Sequence, residues 1–300
     1  MANEKNLTKA DDFDPEVLSL FDKYVHGIID RHAFLREAAR FAVGTMTAAG
    51  LLDALSPRFA QAQKVAVDDP RIDIGHIEFD SPQGYGQVRA YRVKPAQASG
   101  KLPVVLVVHE NRGLNPHIED IARRLALENF IAIAPDALTR LGGYPGDEDA
   151  ARELFAKLDQ DKTREDFLAS ARFAKALPDG NGKLGAVGFC WGGGMVNFLA
   201  TRVPGLDAAV AFYGMAPPLA DVARIKAALQ LHFAGSDERI NASWPAYEKA
   251  LVTSKIRYEA FTYPGTQHGF NNDTTPRFDE AAAKSAWRRT VDFLNRTLRK

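Results

Sequence analysis

The chain has a single cysteine, Cys190, among 300 residues. One thiol excludes an internal disulfide framework and every cysteine-rich zinc site. Charge of one sign is missing as well, since 38 basic residues balance 38 acidic ones. With no basic surplus, and no aromatics interleaved with arginines, nucleic acid is not an expected partner. No apolar run is long enough to cross a bilayer, so no membrane span is expected. A metalloprotease helix is absent too: His109-Glu110 is followed by Asn111-Arg112-Gly113, without a second histidine in place. Neither an internal repeat nor a low-complexity tract interrupts the chain.

What is present gathers around that one sulfur. Cys190 lies in Gly188-Phe189-Cys190-Trp191-Gly192-Gly193, a G-x-S-x-G nucleophile elbow with sulfur replacing the hydroxyl. Residues 183–187 before it read as a buried strand, and residues 194–200 after it as a helix start. An elbow strains its central residue and brings strand and helix close, so its neighbours must be small. A lone cysteine is usually just a small buried hydrophobe. The spacing and the strand–helix context favour a nucleophile.

From residue 64 onward strands and helices alternate. Residues 74–79 and 88–93 read as a hairpin, and 103–108 as a strand buried on both faces. Further strands are expected at 130–134, 208–213, 229–234 and 258–263, with helices at 118–129, 149–158, 163–177 and 276–298. The pattern predicts an α/β fold, a mainly parallel sheet with helices on both faces. Ligands of such sheets bind beyond the carboxyl ends of the strands.

That rule selects the partners of the sulfur. Asp237 follows the strand 229–234, and His268 follows 258–263, in the chain order nucleophile, acid, histidine. The plain reading of Asp237 is a turn residue or helix cap, and Glu238 competes for its role. The other histidines are less well placed: His109 and His117 lie near the first βα loop, His232 within a strand, and His26, His32 and His76 before the main catalytic strands. In the loop after 103–108, the backbone N–H of Asn111, with that of Trp191, is a candidate oxyanion donor. Glu110 is a charge set beside the elbow, with a salt bridge to Arg112 as its plain reading. Arg112 is a candidate for holding substrate charge, with a solvent-facing loop arginine as the alternative.

The first sixty residues read differently. Residues 1–30 carry seven acids against three lysines, followed by Asp30-Arg31-His32-Ala33-Phe34-Leu35-Arg36, an apolar stretch over 41–52, and Ala60-Gln61-Ala62. That order resembles a twin-arginine export signal with its second arginine replaced by His32. The competing reading is a retained helical extension, because Val17, Leu20, Phe21, Tyr24 and Ile28, then Phe34, Ala38, Phe41 and Met46, recur at helical spacing. Retention is preferred, with the helices packed on the core or on a second copy of the chain as a homo-oligomer. The expected division is 1–63 as the extension or degenerate signal and 64–300 as the catalytic domain. A cytoplasmic location is favoured, and export is the alternative.

Taken together, residues 65–300 resemble the dienelactone hydrolase family of α/β-hydrolases, a carboxymethylenebutenolidase-like group. The motifs are Val108-His109-Glu110-Asn111-Arg112-Gly113, the elbow, Phe212-Tyr213-Gly214, Gly235-Ser236-Asp237 and Pro264-Gly265-Thr266-Gln267-His268-Gly269-Phe270. The resemblance implies a hydrolase of small esters or lactones that needs no cofactor or metal. In it Cys190 is the nucleophile, His268 the acid and base, and Asp237 the residue orienting that histidine. It also implies that Glu110 contacts a poorly reactive resting thiol and is displaced when substrate arrives. Family members acting on dienelactone hold its carboxylate with arginines, one shortly after the histidine. Here that stretch reads Gly269-Phe270-Asn271-Asn272-Asp273, and Arg152 is only near the position of the other. Thioester hydrolysis or acyl transfer by the same residues, and an inactive binding module, are the rival readings.

Overall fold

The computed structural model describes residues 9–42 and 46–300. Its centre is an eight-stranded sheet in the order β1-β2-β4-β3-β5-β6-β7-β8. β1 (Ile72–Ser81) and β2 (Gly86–Pro95) form the expected hairpin, and β2 runs antiparallel to β4 (Ile131–Pro135). From there the pairing is parallel through β3 (Leu102–Val108), β5 (Gly180–Phe189), β6 (Ala208–Phe212), β7 (Ala228–Ala234) and β8 (Tyr258–Tyr263). All seven residues of β3, and all of β6 and β7, are buried, which is why these strands read as continuous apolar runs rather than alternations.

Helices cover both faces. α5 (Pro116–Leu127) and α11 (Glu280–Leu298) pack Ile121, Leu125, Phe293 and Leu294 against one side. α6 (Glu148–Ala156), α7 (Gln160–Lys175), α8 (Trp191–Arg202) and α10 (Trp244–Thr253) pack Phe155, Phe167, Val196, Leu199 and Leu251 against the other. Each fully buried side chain of this size stabilises by about 1.5–3 kcal/mol. A short helix, α9 (Glu238–Asn241), follows β7. The last helix starts at Glu280 rather than 276, because Asp279 caps it by accepting from the Ala282 N–H at 2.8 Å.

The N-terminal residues form a helical cluster with a small core of its own. α1 (Pro15–Val25), α2 (Arg31–Ala38) and α3 (Ala48–Leu55) enclose Val17, Phe21, Tyr24, Phe34, Leu52 and Leu55. Asp14, Asp30 and Thr47 cap the three helices through side-chain acceptors. The periodic positions 17, 20, 21, 24, 34 and 38 point inward as expected, whereas Ile28 is 63% exposed beyond the helix end. The apolar stretch 41–52 lies partly outside the described residues. α4 (Phe59–Ala62) then lies near α5, and the connection is pinned where Lys64 and Val65 donate to Asp120 at 3.1 and 2.8 Å. Among the described residues no helix is long and apolar enough to cross a membrane.

Candidate active site

Parallel pairing puts the ends of β3, β5, β7 and β8 along one edge, and each hands a loop to the same place. β5 ends at Phe189, and Cys190 follows with φ 55° and ψ −116° as the cap of α8. A non-glycine residue at positive φ is strained, by about 1–3 kcal/mol. The elbow closes because its neighbours lack side chains. A Cβ on Gly188 would stand 2.1 Å from the Gly192 carbonyl oxygen, and one on Gly192 would stand 2.3 Å from that of Val108.

Beyond β7, Asp237 accepts from His268 Nδ1 at 2.5 Å, and its other oxygen accepts from the Ile240 N–H at 3.3 Å. It is therefore both the helix cap of the plain reading and the partner of the histidine. Glu238 stays exposed. His268 is 6% exposed, and with Nδ1 committed to Asp237 its Nε2 meets no nitrogen or oxygen partner among the described residues and faces the sulfur. One ring nitrogen of His268, Cys190 Sγ and one ring nitrogen of His26 lie within 4.8 Å of one another.

His26 is the residue that sequence reasoning passed over. It follows α1, and its Nε2 lies 3.5 Å from Cys190 Sγ. Its Nδ1 donates to the Asp22 carbonyl at 2.7 Å and lies 3.3 Å from the Asp22 carboxylate. The His26 and His268 rings meet edge to face at 4.8 Å. Nothing periodic marks a residue 164 positions before its partner; the only signal was an Asp–His pair four apart at a helix end, where the pair is sterically matched.

The loop after β3 holds this segment in place. Asn111 Nδ2 and Arg112 Nη1 donate to the Val25 carbonyl at 2.8 and 3.2 Å. Arg112 is buried rather than solvent-facing, with its Nε 3.6 Å from Glu148, so Glu148 and not Glu110 is its carboxylate partner. The Glu110 carboxylate accepts from Asn272 Nδ2 at 3.0 Å, and the side chains facing the thiol are His26 and His268. Trp191 is the first residue of α8, where a backbone N–H has no partner within the helix. Three further histidines have structural posts: His109 accepts from the Ala137 N–H, His117 pairs with Asp273, and His232 sits between Tyr263 and Gln230.

The charges act on the sulfur together. Burial raises the Cys190 thiol, but the His268 charge and the His26 hydrogen bond outweigh it and bring its pKa down to about 6. Burial lowers His26, yet its hydrogen bonds to Asp22 and Cys190 raise it to about 10. His268 is raised for the same reason, by Cys190 and Asp237 against burial. A cavity of about 650 Å³ opens beside the sulfur, lined by His26, Trp191, Met195, Phe198, Arg152 and Arg239 among others.

A strained residue at a strand–helix elbow, with an acid–histidine pair on neighbouring strand ends, defines an α/β-hydrolase. The model of the dienelactone hydrolase family matches residues 88–298, and the chain belongs to that family. It is a hydrolase of the dienelactone hydrolase type. A second model, described as YqhI-like, matches residues 5–42, the stretch that holds α1 and α2. The "putative hydrolase fragment YghX" of Escherichia coli is 55% identical over 114 residues, covering 38% of this chain and 97% of that protein. A "putative carboxymethylenebutenolidase" of Saccharolobus solfataricus is 33% identical over 70% of this chain and 94% of its own length. Among solved structures, a "putative dienelactone hydrolase" from Klebsiella pneumoniae superposes with a TM-score of 0.65 at 31% identity, over 74% of this chain and 98% of that one.

Proposed function

We propose that the protein hydrolyses small esters or lactones through Cys190, His268 and Asp237. The observation that carries this reading is the His268–Asp237 contact of 2.5 Å, which leaves the other imidazole nitrogen unpartnered near the strained cysteine. The Cys190 thiolate adds to the carbonyl carbon, and the oxyanion is met by the N–H groups of Asn111 and Trp191. Collapse expels the alkoxide, which takes a proton from the His268 imidazolium, and leaves a thioester on Cys190. His268 then takes a proton from water, the hydroxide adds to the thioester, and thiolate departs with the carboxylic acid formed.

The cavity argues for the kind of substrate. About 650 Å³ suits a small molecule. Arg152 and Arg239 line it, so the missing arginine after His268 is made good from α6 and α9. The buried Arg152 Nε has no hydrogen-bond partner among the described residues. We read this as a site for an ester or lactone that carries a negative charge. Arg112, occupied with Val25 and Glu148, is replaced by Arg152 as the residue proposed to meet that charge.

We further propose that residues 1–62 are retained on the mature enzyme, because α1 carries a residue of the site. An amino terminus at Gln63 in protein from its natural host overturns this. For the activity, Cys190→Ala abolishes hydrolysis of a model aryl ester while the fold, followed by circular dichroism, is kept. Turnover at the full rate in that variant overturns the assignment.

A further inference from the structure

We infer that His26, supplied by the N-terminal extension, is a catalytic residue: it holds Cys190 as a thiolate in the resting enzyme, so that His268 is left free to carry protons. The inference rests on Cys190 being the nucleophile. Two carboxylate–imidazole pairs converge on one sulfur, Asp237–His268 from the ends of β7 and β8 and Asp22–His26 from the end of α1. Both imidazoles stand within 4.8 Å of the thiol as a set, and a dyad needs only one. The second therefore has a different task.

Its surroundings say which. His26 Nδ1 is turned to the Asp22 backbone and carboxylate, which leaves Nε2 facing the sulfur at 3.5 Å. The side chain is 12% exposed, so water does little to screen the pair. Transfer of the thiol proton to Nε2 gives a thiolate and an imidazolium, with Asp22 balancing the new positive charge. Arg239 Nη2 lies 2.9 Å from the same nitrogen and opposes its protonation, but that side chain is exposed, so solvent screens its charge. Arg277, 3.8 Å from Asp22, draws on the same carboxylate. On the other side, Arg112 adds a positive field at Cys190. The neighbouring Tyr213 is held neutral: burial first, then the Glu110 and Cys190 charges, raise its pKa well above the usual value. His268, whose ring meets that of His26 at 4.8 Å, is a further opposing charge when protonated, while Asp22 at 3.3 Å and the thiolate at 3.5 Å, both negative, favour the imidazolium from two sides.

His26 also lines the cavity beside Cys190, so it touches the space where substrate reacts. A retained proton on His26 is consistent with the cycle proposed above. The proton that reaches the leaving alkoxide comes from His268, and the one taken from water returns to His268. His26 keeps its proton throughout and acts as the fixed counter-charge of the sulfur. This differs from the expected scheme, in which Glu110 keeps the thiol neutral until substrate arrives.

The test is the pH dependence of Cys190 alkylation by iodoacetamide in the full-length protein. The parent enzyme should titrate with a midpoint near 6. In His26→Gln the midpoint should move toward the roughly 8.5 of a free thiol, with alkylation at neutral pH slowed about tenfold. The acid limb of kcat/KM should move with it, and turnover should recover near the parent value at about pH 9, where a thiol ionises unaided. Asp22→Asn, which leaves the imidazole in place, should produce a smaller movement in the same direction. An unchanged alkylation profile in both variants overturns the inference, as does a loss in His26→Gln that raising the pH does not restore. Cys190→Ala separates the two claims: activity there removes the nucleophile itself, whereas a dead Cys190→Ala beside an unmoved His26→Gln profile removes only the role of His26.

Discussion

A thiol whose pKa lies near 6 is mostly thiolate at neutral pH, whereas a free one near 8.5 is not. On the proposed mechanism the residues around Cys190 set the reactivity of the sulfur, and the cavity wall selects its substrate. Arg152 is the sharpest probe of the wall. Its guanidinium lies over the Tyr24 ring at 4.7 Å, and its Nε is buried without a hydrogen-bond partner among the described residues. A charge-assisted hydrogen bond is worth about 1.5–3 kcal/mol. Arg152→Ala is accordingly expected to raise KM about tenfold or more for a carboxylate-bearing aryl ester and to leave the neutral analogue nearly unchanged. Equal effects on the two esters contradict a charge-reading site. At this scale the sequence was informative wherever chemistry and chain order coincide, as for Cys190, Asp237 and His268. It was silent on His26 and misplaced Arg112, because both depend on a contact between α1 and the β3 loop that no local pattern encodes.

Strands and helices place those residues, and the tightest tolerance is at the elbow. Gly192 packs where the backbone of Val108 and His109 runs, with a would-be Cβ 2.3 and 2.4 Å from their carbonyl oxygens. Backbone atoms cannot rotate away as a side chain end can. Gly192→Ala should cost about 3 kcal/mol and displace the Trp191 N–H, so that kcat falls further than stability predicts. An alanine variant with parent Tm and parent kcat contradicts the close crossing. The elements themselves were mostly legible. Buried runs such as residues 103–108 and 208–213 read as strands of a sheet covered on both sides, and the helix 163–177 differs from α7 only by its ends. α10 was passed over although Ser243-Trp244-Pro245 offers a cap residue and an early proline, and in the structure Ser243 makes no side-chain cap hydrogen bond. The start of α11 was set by Asp279, which a reading by apolar spacing alone passes over.

Across the whole molecule, a small helical cluster with its own core is docked over the mouth of a large catalytic one. Tyr24 hydrogen-bonds Asp149, Arg31 pairs with Asp149 at 3.1 Å, and Arg277 lies over the Phe21 ring at 5.1 Å. Phe34 is fully buried in the small core, so Phe34→Ala should remove about 3–5 kcal/mol there. The expected outcome is an early transition that exposes α1 to limited proteolysis while the main unfolding transition keeps its Tm. One joint transition lowered as a whole contradicts separate cores. Docking should also depend on pH. Burial lowers His26, but Asp22 and Cys190 raise it from 6.5 to about 10 in the folded protein. A raised pKa means stability that is full below the unfolded value and is lost as pH climbs through the folded one. Protection of α1 should therefore hold near pH 6 and fade toward pH 10. From the sequence the extension could be read as helices or as an export signal. Its apolar spacing serves both, and in the structure it packs Phe21, Phe34 and Leu55 into one core.

The central claim is that the acyl group passes through the sulfur of Cys190. Intact-protein and peptide mass spectrometry after acid quenching of enzyme mixed with an activated aryl ester tests it most directly. The account predicts one added acyl group on the peptide bearing Cys190, accumulating in His268→Gln, where deacylation has lost its base, and absent in Cys190→Ala. An acyl group on any other residue, or steady turnover in Cys190→Ala, contradicts it.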